Sequence, residues 1–92
     1  MYERTKLTHV AIRFRGKVYS LPAPNRHHHV IWKIVRETGV DAVDAPEEDQ
    51  GFLDESGTFL NRRQALVSAE MFGQIKKGAV IRYGMLFSED VW

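Results

Sequence analysis

Two Asn-Arg pairs stand where an extended segment gives way to helix-like sequence, and each is loaded with cationic or ring-nitrogen side chains. The first is Asn25-Arg26-His27-His28-His29, after Lys17-Val18-Tyr19-Ser20-Leu21 and Pro22-Ala23-Pro24. The second is Asn61-Arg62-Arg63-Gln64, after Thr58-Phe59-Leu60. A helix start leaves backbone N–H groups unpaired and carries the positive end of the helix dipole. Arginine and histidine at such a start favour an anion, and the ligand chemistry implied is a phosphate-bearing, nucleotide-like small molecule. The candidate ligand-binding residues are therefore Asn25, Arg26, His27, His28, Asn61, Arg62 and Arg63. Trp32, on the less apolar side of its helix, joins them as a stacking surface or subunit contact.

Two of these side chains face inward. At about 100° per residue His27 falls on the stripe formed by Val30, Ile31, Ile34 and Val35. A helix start disfavours the imidazolium, so His27 is expected to stay neutral near pH 7, able to donate, accept or ligate. A buried histidine bonded to backbone is the plainer alternative. Arg62 projects along the stripe of Ala65, Leu66, Ala69 and Phe72 and must find an acceptor there. That acceptor is an internal carboxylate such as Glu89 or Asp90, the sheet carbonyls, or a ligand phosphate. Ser88-Glu89-Asp90 reads as a helix or turn start.

The histidine trio is not a metal site, because adjacent helical residues point about 100° apart and cannot converge on one ion. Helical metal pairs use i, i+3 or i, i+4 spacing, and here those positions are Val30 and Ile31. No metal and no cofactor is expected. Gly-x-Ser-x-Gly, P-loop and Gly-x-Gly-x-x-Gly patterns are absent. A small hydrolase or phosphodiesterase using His27 as base and Arg62 as charge stabiliser has no second catalytic group to complete it, so the balance lies against an enzyme.

The elements that position these residues follow from local pattern. Thr8 to Phe14 alternates, with Val10, Ile12 and Phe14 on one face, and Arg15-Gly16 turns the chain into Lys17 to Leu21. Asn25 is the expected N-cap of a helix reaching Thr38, with Gly39 as its left-handed stop. Acidic Asp41 to Gln50 reads as a surface loop. Gln50 to Leu60 forms a second hairpin around Glu55-Ser56-Gly57. Asn61 and Gln64 have capping-box spacing for a helix over Arg62 to Phe72, ending at Gly73. Ile75 to Tyr83 suggests a last strand, and the tail to Trp92 is too apolar to hang free. The result is a single α+β domain over 1–92, in the order ββαββαβ, with two helices packed on one antiparallel sheet.

Bulk properties narrow the function classes. With 43% hydrophobic and 27% charged residues, 92 residues fit one folded domain rather than a disordered chain. There are no cysteines to reinforce so small a core, which makes a homo-oligomer a reasonable expectation. A net charge of +1 argues against a strong duplex-DNA binder. No apolar run approaches the roughly 20 residues of a membrane span, and Met1 to Lys6 shows no secretory h-region, so the expected location is the cytoplasm.

The run Ser20 to Ile31 (SLPAPNRHHHVI) resembles the front motif of small tailed-phage and prophage proteins. Gln50-Gly51-Phe52-Leu53, then Gly57 to Ala65, Phe72-Gly73-Gln74-Ile75 and Leu86 to Trp92 are similar to the same family. The resemblance implies a phage origin, expressed in a host cell, and brings no activity or site with it. Small phage proteins of this kind are often accessory factors, some of which disarm host immunity by binding a protein or a nucleotide signal. The expected partner is then a nucleotide-like small molecule or, alternatively, a protein of a host defence complex of the anti-CRISPR kind. Exposed Trp32 and Trp92 are the expected contacts of that second route.

Overall fold

The computed structural model describes residues 4–92, so the part of the N-terminal reading that rests on Met1, Tyr2 and Glu3 lies outside the described residues. Six regular elements follow in order: β1 (Leu7–Phe14), β2 (Lys17–Pro22), α1 (His27–Thr38), β3 (Gln50–Asp54), β4 (Phe59–Asn61) and α2 (Arg62–Met71). The four strands form one antiparallel sheet in the order β2-β1-β3-β4, so the two expected hairpins are joined side by side through β1 and β3. The α+β class holds.

Each turn has a local cause. Arg15 and Gly16 both take positive φ, 53° and 79°, as a two-residue hairpin loop of the primed type requires. The second hairpin is held by Asp54, whose Oδ1 accepts from Ser56 N, Ser56 Oγ and Thr58 N. Gly39 ends α1 at φ 76°, its N–H bonding Val35 O. Asn61 caps α2 through Arg63 N and Gln64 N, while Gln64 Oε1 accepts from Asn61 N, completing the expected capping box.

Register and alternation put Val10, Ile12, Tyr19, Phe52 and Leu60 on the face that meets both helices. Val30 and Ile34 of α1 and Ala65 and Ala69 of α2 are fully buried against them. The two alanines of α2 allow the helix to approach the sheet closely. Phe52 is the centre of this core, with the His27 ring edge-on at 5.2 Å and the Trp92 ring at 5.8 Å. Beside it, Gly51 has no alternative. A Cβ there would collide with the Leu60 carbonyl oxygen and lie 2.9 Å from Asn61 Cα.

Three expectations are corrected. The seventh element does not form: 75–84 is a chain of turns with one isolated bridge, Arg82 to Met85. Gly78 takes φ 88° in a turn closed by Ala79 N to Lys76 O, and Val80 and Tyr83 point outward, 69% and 79% exposed. Of the two edge strands, β4 is the one that leads into α2, and at three residues it is short for pairing with a further strand. Second, Asn25 is not the cap of α1; Arg26 is, and Asn25 lies one residue outside, its N–H and Nδ2 both bonded to Pro22 O. Third, Phe72 caps the end of α2 and is 44% exposed rather than part of its buried stripe.

The tail does pack down. Trp92 is half-buried, with Nε1 donating to Asn25 O at 2.7 Å, so it is not the exposed aromatic contact expected of it. Among the described residues no helix is long and apolar enough to cross a membrane.

Replacing Gly51 with Ala should destabilise the fold by about 2–3 kcal/mol, because backbone rather than a movable side chain blocks the added methyl. Asn61→Ala should cost about 1 kcal/mol through loss of its cap. Urea unfolding midpoints check both, and a Gly51→Ala protein as stable as the parent would contradict the packing described.

Candidate functional site

The two inward-facing residues meet. His27, at the first turn of α1, and Arg62, at the first turn of α2, line one cavity of about 380 Å³. Arg26 and His28 complete its α1 side, and Phe87, Ser88 and Glu89 of the C-terminal segment form the opposite wall. The sheet brings this about. The start of α1 reaches β3 through a hydrogen bond from His27 Nε2 to Gly51 O at 2.8 Å. On the neighbouring strand, the end of β4 runs directly into α2, which sets Arg62 beside it.

A backbone carbonyl only accepts, so Nε2 carries the proton and Nδ1 keeps its lone pair. Burial, followed by the nearby Arg62 charge, holds the His27 pKa down to about 4, and the bond to Gly51 opposes this only in part. The ring is therefore neutral at physiological pH. The expectation of a neutral imidazole holds, although burial rather than the helix end is the leading cause.

Arg62 is 7% exposed and has no carboxylate within ion-pair distance among the described residues. Its Nη1 donates to Leu86 O at 3.1 Å and its Nη2 to Gln50 Oε1 at 3.1 Å, and the guanidinium carbon sits 4.4 Å from the Phe87 ring centre. Of the acceptors expected for it, neither Glu89 nor Asp90 is used; a tail carbonyl and a neutral amide serve instead. Burial lowers the Arg62 pKa, with Glu47, Asp90 and Glu89 pulling it back up at longer range. An arginine stays protonated under such shifts, so the cavity holds a buried cation compensated by dipoles and a ring face.

The start of α1 is open. Neither the His27 nor the His28 backbone N–H has a hydrogen-bond partner among the described residues, and the N-cap Arg26 side chain accepts none of the first-turn N–H groups. His29 turns the other way and accepts from Arg26 N through Nδ1 at 2.9 Å. The Arg26 side chain has no hydrogen bond or ion pair among the described residues, which leaves it available at the cavity. Two arginines and one carboxylate residue, Glu89, thus line the space. Such an arrangement suits an anion carrying several acceptor oxygens.

The second helix start is different. Its cap already occupies the Arg63 and Gln64 N–H groups, and Asn61 and Arg63 line a separate hollow of about 260 Å³ with Glu47, Glu48 and Met85. Arg63 Nη1 is bonded to Tyr83 O at 3.1 Å. Arg62 alone reaches both spaces. Asn25 lines neither and serves to hold Trp92. Trp32 is 60% exposed and outside the cavity, its ring met edge-on by His28 at 5.1 Å and His29 at 5.4 Å.

Gln50, Leu86, Phe87 and Ser88 are the contributors that sequence pattern leaves out. Ser88 is buried and at the cavity wall, while Asp90 Oδ2 accepts from Phe87 N at 2.9 Å and shapes that turn. The apolar tail was the available signal, since its burial had to cover something. Among the described residues no group of three or more His, Asp or Glu is placed to hold a metal ion.

The buried imidazole makes stability depend on pH. Unfolded His27 takes a proton near 6.5, and the folded ring does so only near 4, so acid favours the unfolded chain. The contribution is whole above about pH 6.5, is lost as pH falls toward 4 and amounts to roughly 3 kcal/mol. His27→Gln, whose amide keeps a donor for Gly51 O, should flatten that part of the profile in urea unfolding between pH 7.5 and 4. Parallel profiles for parent and variant would contradict the assignment.

No curated protein and no solved structure matches the chain. A family model described as phage T4 y16D protein matches residues 6–92, a span that includes both helix starts and the tail that walls the cavity. This agrees with the phage resemblance of the motifs, and the chain belongs to the phage T4 y16D protein family.

Proposed function

We propose that this chain is a non-catalytic phage accessory protein that binds an anionic, nucleotide-like ligand in the cavity between the start of α1 and the C-terminal segment. Acting in the host cytoplasm, it would blunt a defence that depends on such a ligand. The observation that carries the reading is one juxtaposition: the Arg62 guanidinium, buried without a carboxylate partner among the described residues, shares a cavity with the start of α1, where the His27 and His28 N–H groups are unbonded. A buried cation held only by neutral groups gains most from an anion that replaces lost solvation. The anti-defence role rests on the phage family alone.

Binding is favoured over turnover. A ring whose pKa lies near 4, with its Nε2 proton already given to Gly51 O, is a weak general base at neutral pH. A second reading draws on Val67, Met71 and Phe72, exposed together along the end of α2. They would suit a host defence protein or a second copy of the chain, and co-purification at a fixed ratio would favour that reading.

Arg26 gives the clean test, because its side chain supports nothing inside the protein. Arg26→Ala should leave unfolding stability within about 0.5 kcal/mol and weaken phosphate-ligand binding about tenfold by titration calorimetry. In the parent, a ligand at 100 times its Kd should add about 2.7 kcal/mol of stability. If linear and cyclic nucleotides at millimolar concentration leave the melting curve of the parent unmoved, the reading is wrong.

A further inference from the structure

A second space, of about 550 Å³, adjoins the candidate site and shares Phe87 and Glu89 with it. Its other walls include Val80 and Tyr83, the two most exposed large apolar side chains among the described residues. Tyr83 stands at the tip of a two-residue turn closed by Met85 N to Arg82 O at 3.1 Å, with φ 58° at Tyr83 and 64° at Gly84. A bulky aromatic residue is a poor choice for a left-handed backbone, where Asn or Gly is the easy one. Arg63 Nη1 holds the Tyr83 carbonyl, so the turn is fixed from the side of α2 while the ring gains no burial from it.

We infer that the space walled by Tyr83 and Val80 is a nucleobase subsite, occupied by the base of a mononucleotide whose phosphate sits by Arg26, Arg62 and the start of α1. The inference rests on the anion-binding reading above. It deepens that reading by assigning the ligand class and the stacking residue. A base presents a π-face to any aromatic ring, and an apolar side chain such as Val80 packs against a base face without competing for the hydrogen bonds of its edge. Phe87 lines both spaces, with the Arg62 guanidinium against its ring, so one ligand spanning the two would pass beside it. Glu89 lines both spaces as an acceptor, and a carboxylate matches the adjacent N1–H and N2–H donors of guanine better than the single amino group of adenine. Trp32 is the rival platform. It lines neither space, and His28 and His29 already pack against its ring.

The experiment is calorimetric titration of the full chain with ribose 5-phosphate, GMP and AMP, repeated on Tyr83→Gly, Tyr83→Phe and Trp32→Ala. Glycine suits the positive φ at position 83, so the variant loses the ring without added strain. GMP should bind about tenfold more tightly than ribose 5-phosphate, within the range one stacked base supplies. Tyr83→Gly should abolish that advantage and leave ribose 5-phosphate unchanged, Tyr83→Phe should retain it, and Trp32→Ala should have no effect. Equal affinity for GMP and ribose 5-phosphate would overturn the base subsite while leaving the anion site standing. Loss of the advantage in Trp32→Ala instead of Tyr83→Gly would move the base to α1 and overturn the assignment. Parity of GMP and AMP would remove the role given to Glu89. Absence of binding by all three compounds would sink the anion site itself.

Discussion

Arg62 and Leu86 hold each other twice. The Arg62 carbonyl accepts from Leu86 N at 3.0 Å, and its guanidinium donates to Leu86 O at 3.1 Å. This reciprocal pair makes a tail that belongs to no sheet behave as a fixed wall. From it follow the buried turn at Ser88–Asp90, the packing of Trp92 on Phe52, and the bond from Trp92 to Asn25 at the start of α1. The same pair draws a guanidinium inside, where a carbonyl, an amide and a ring face take the place of a carboxylate. Burying a charge in this way is costly, and proteins more often neutralise such a group with an opposite charge. Here neutral groups supply the compensation, at a cavity that also meets the unbonded His27 and His28 N–H groups of α1.

Gly51 makes the complementary constraint on the other side. Its missing side chain lets the β4 backbone lie close, and its carbonyl accepts the hydrogen bond from His27 Nε2. One position in β3 thus joins α1 to the strand that leads into α2. The neutral state of His27 is a consequence of that burial first and of the nearby Arg62 charge second. An imidazolium there would add a third cation to a site with one carboxylate; the low pKa keeps the ring available as a neutral lining group instead.

Local signals in the chain were sufficient for the hairpins, the Gly39 stop and the Asn61–Gln64 capping box, because each depends on residues a few positions apart. The inward direction of His27 and Arg62 was also legible from helical spacing. Their meeting was not, since it depends on strand order β2-β1-β3-β4, which no local pattern encodes. The cavity wall at 87–89 and the Gln50 partner of Arg62 were hidden for the same reason. The strand expected over Ile75 to Tyr83 failed for a physical cause. Apolar residues are frequent there, but Gly78 turns the backbone at positive φ and the neighbouring edge strand β4 ends after three residues. The two Asn-Arg pairs looked equivalent and are not: one asparagine caps its helix, the other stands outside and leaves the helix open.

Backbone amide shifts during a titration with inorganic phosphate address the central claim most directly. In a two-dimensional ¹⁵N spectrum, the His27 and His28 amides and the Arg62 Nε–H should move together along one saturable curve, while Arg63 and Gln64, occupied by the Asn61 cap, stay in place. If phosphate leaves the His27 and His28 amides unmoved, or shifts Arg63 and Gln64 equally, then the open start of α1 and the buried guanidinium do not form an anion site.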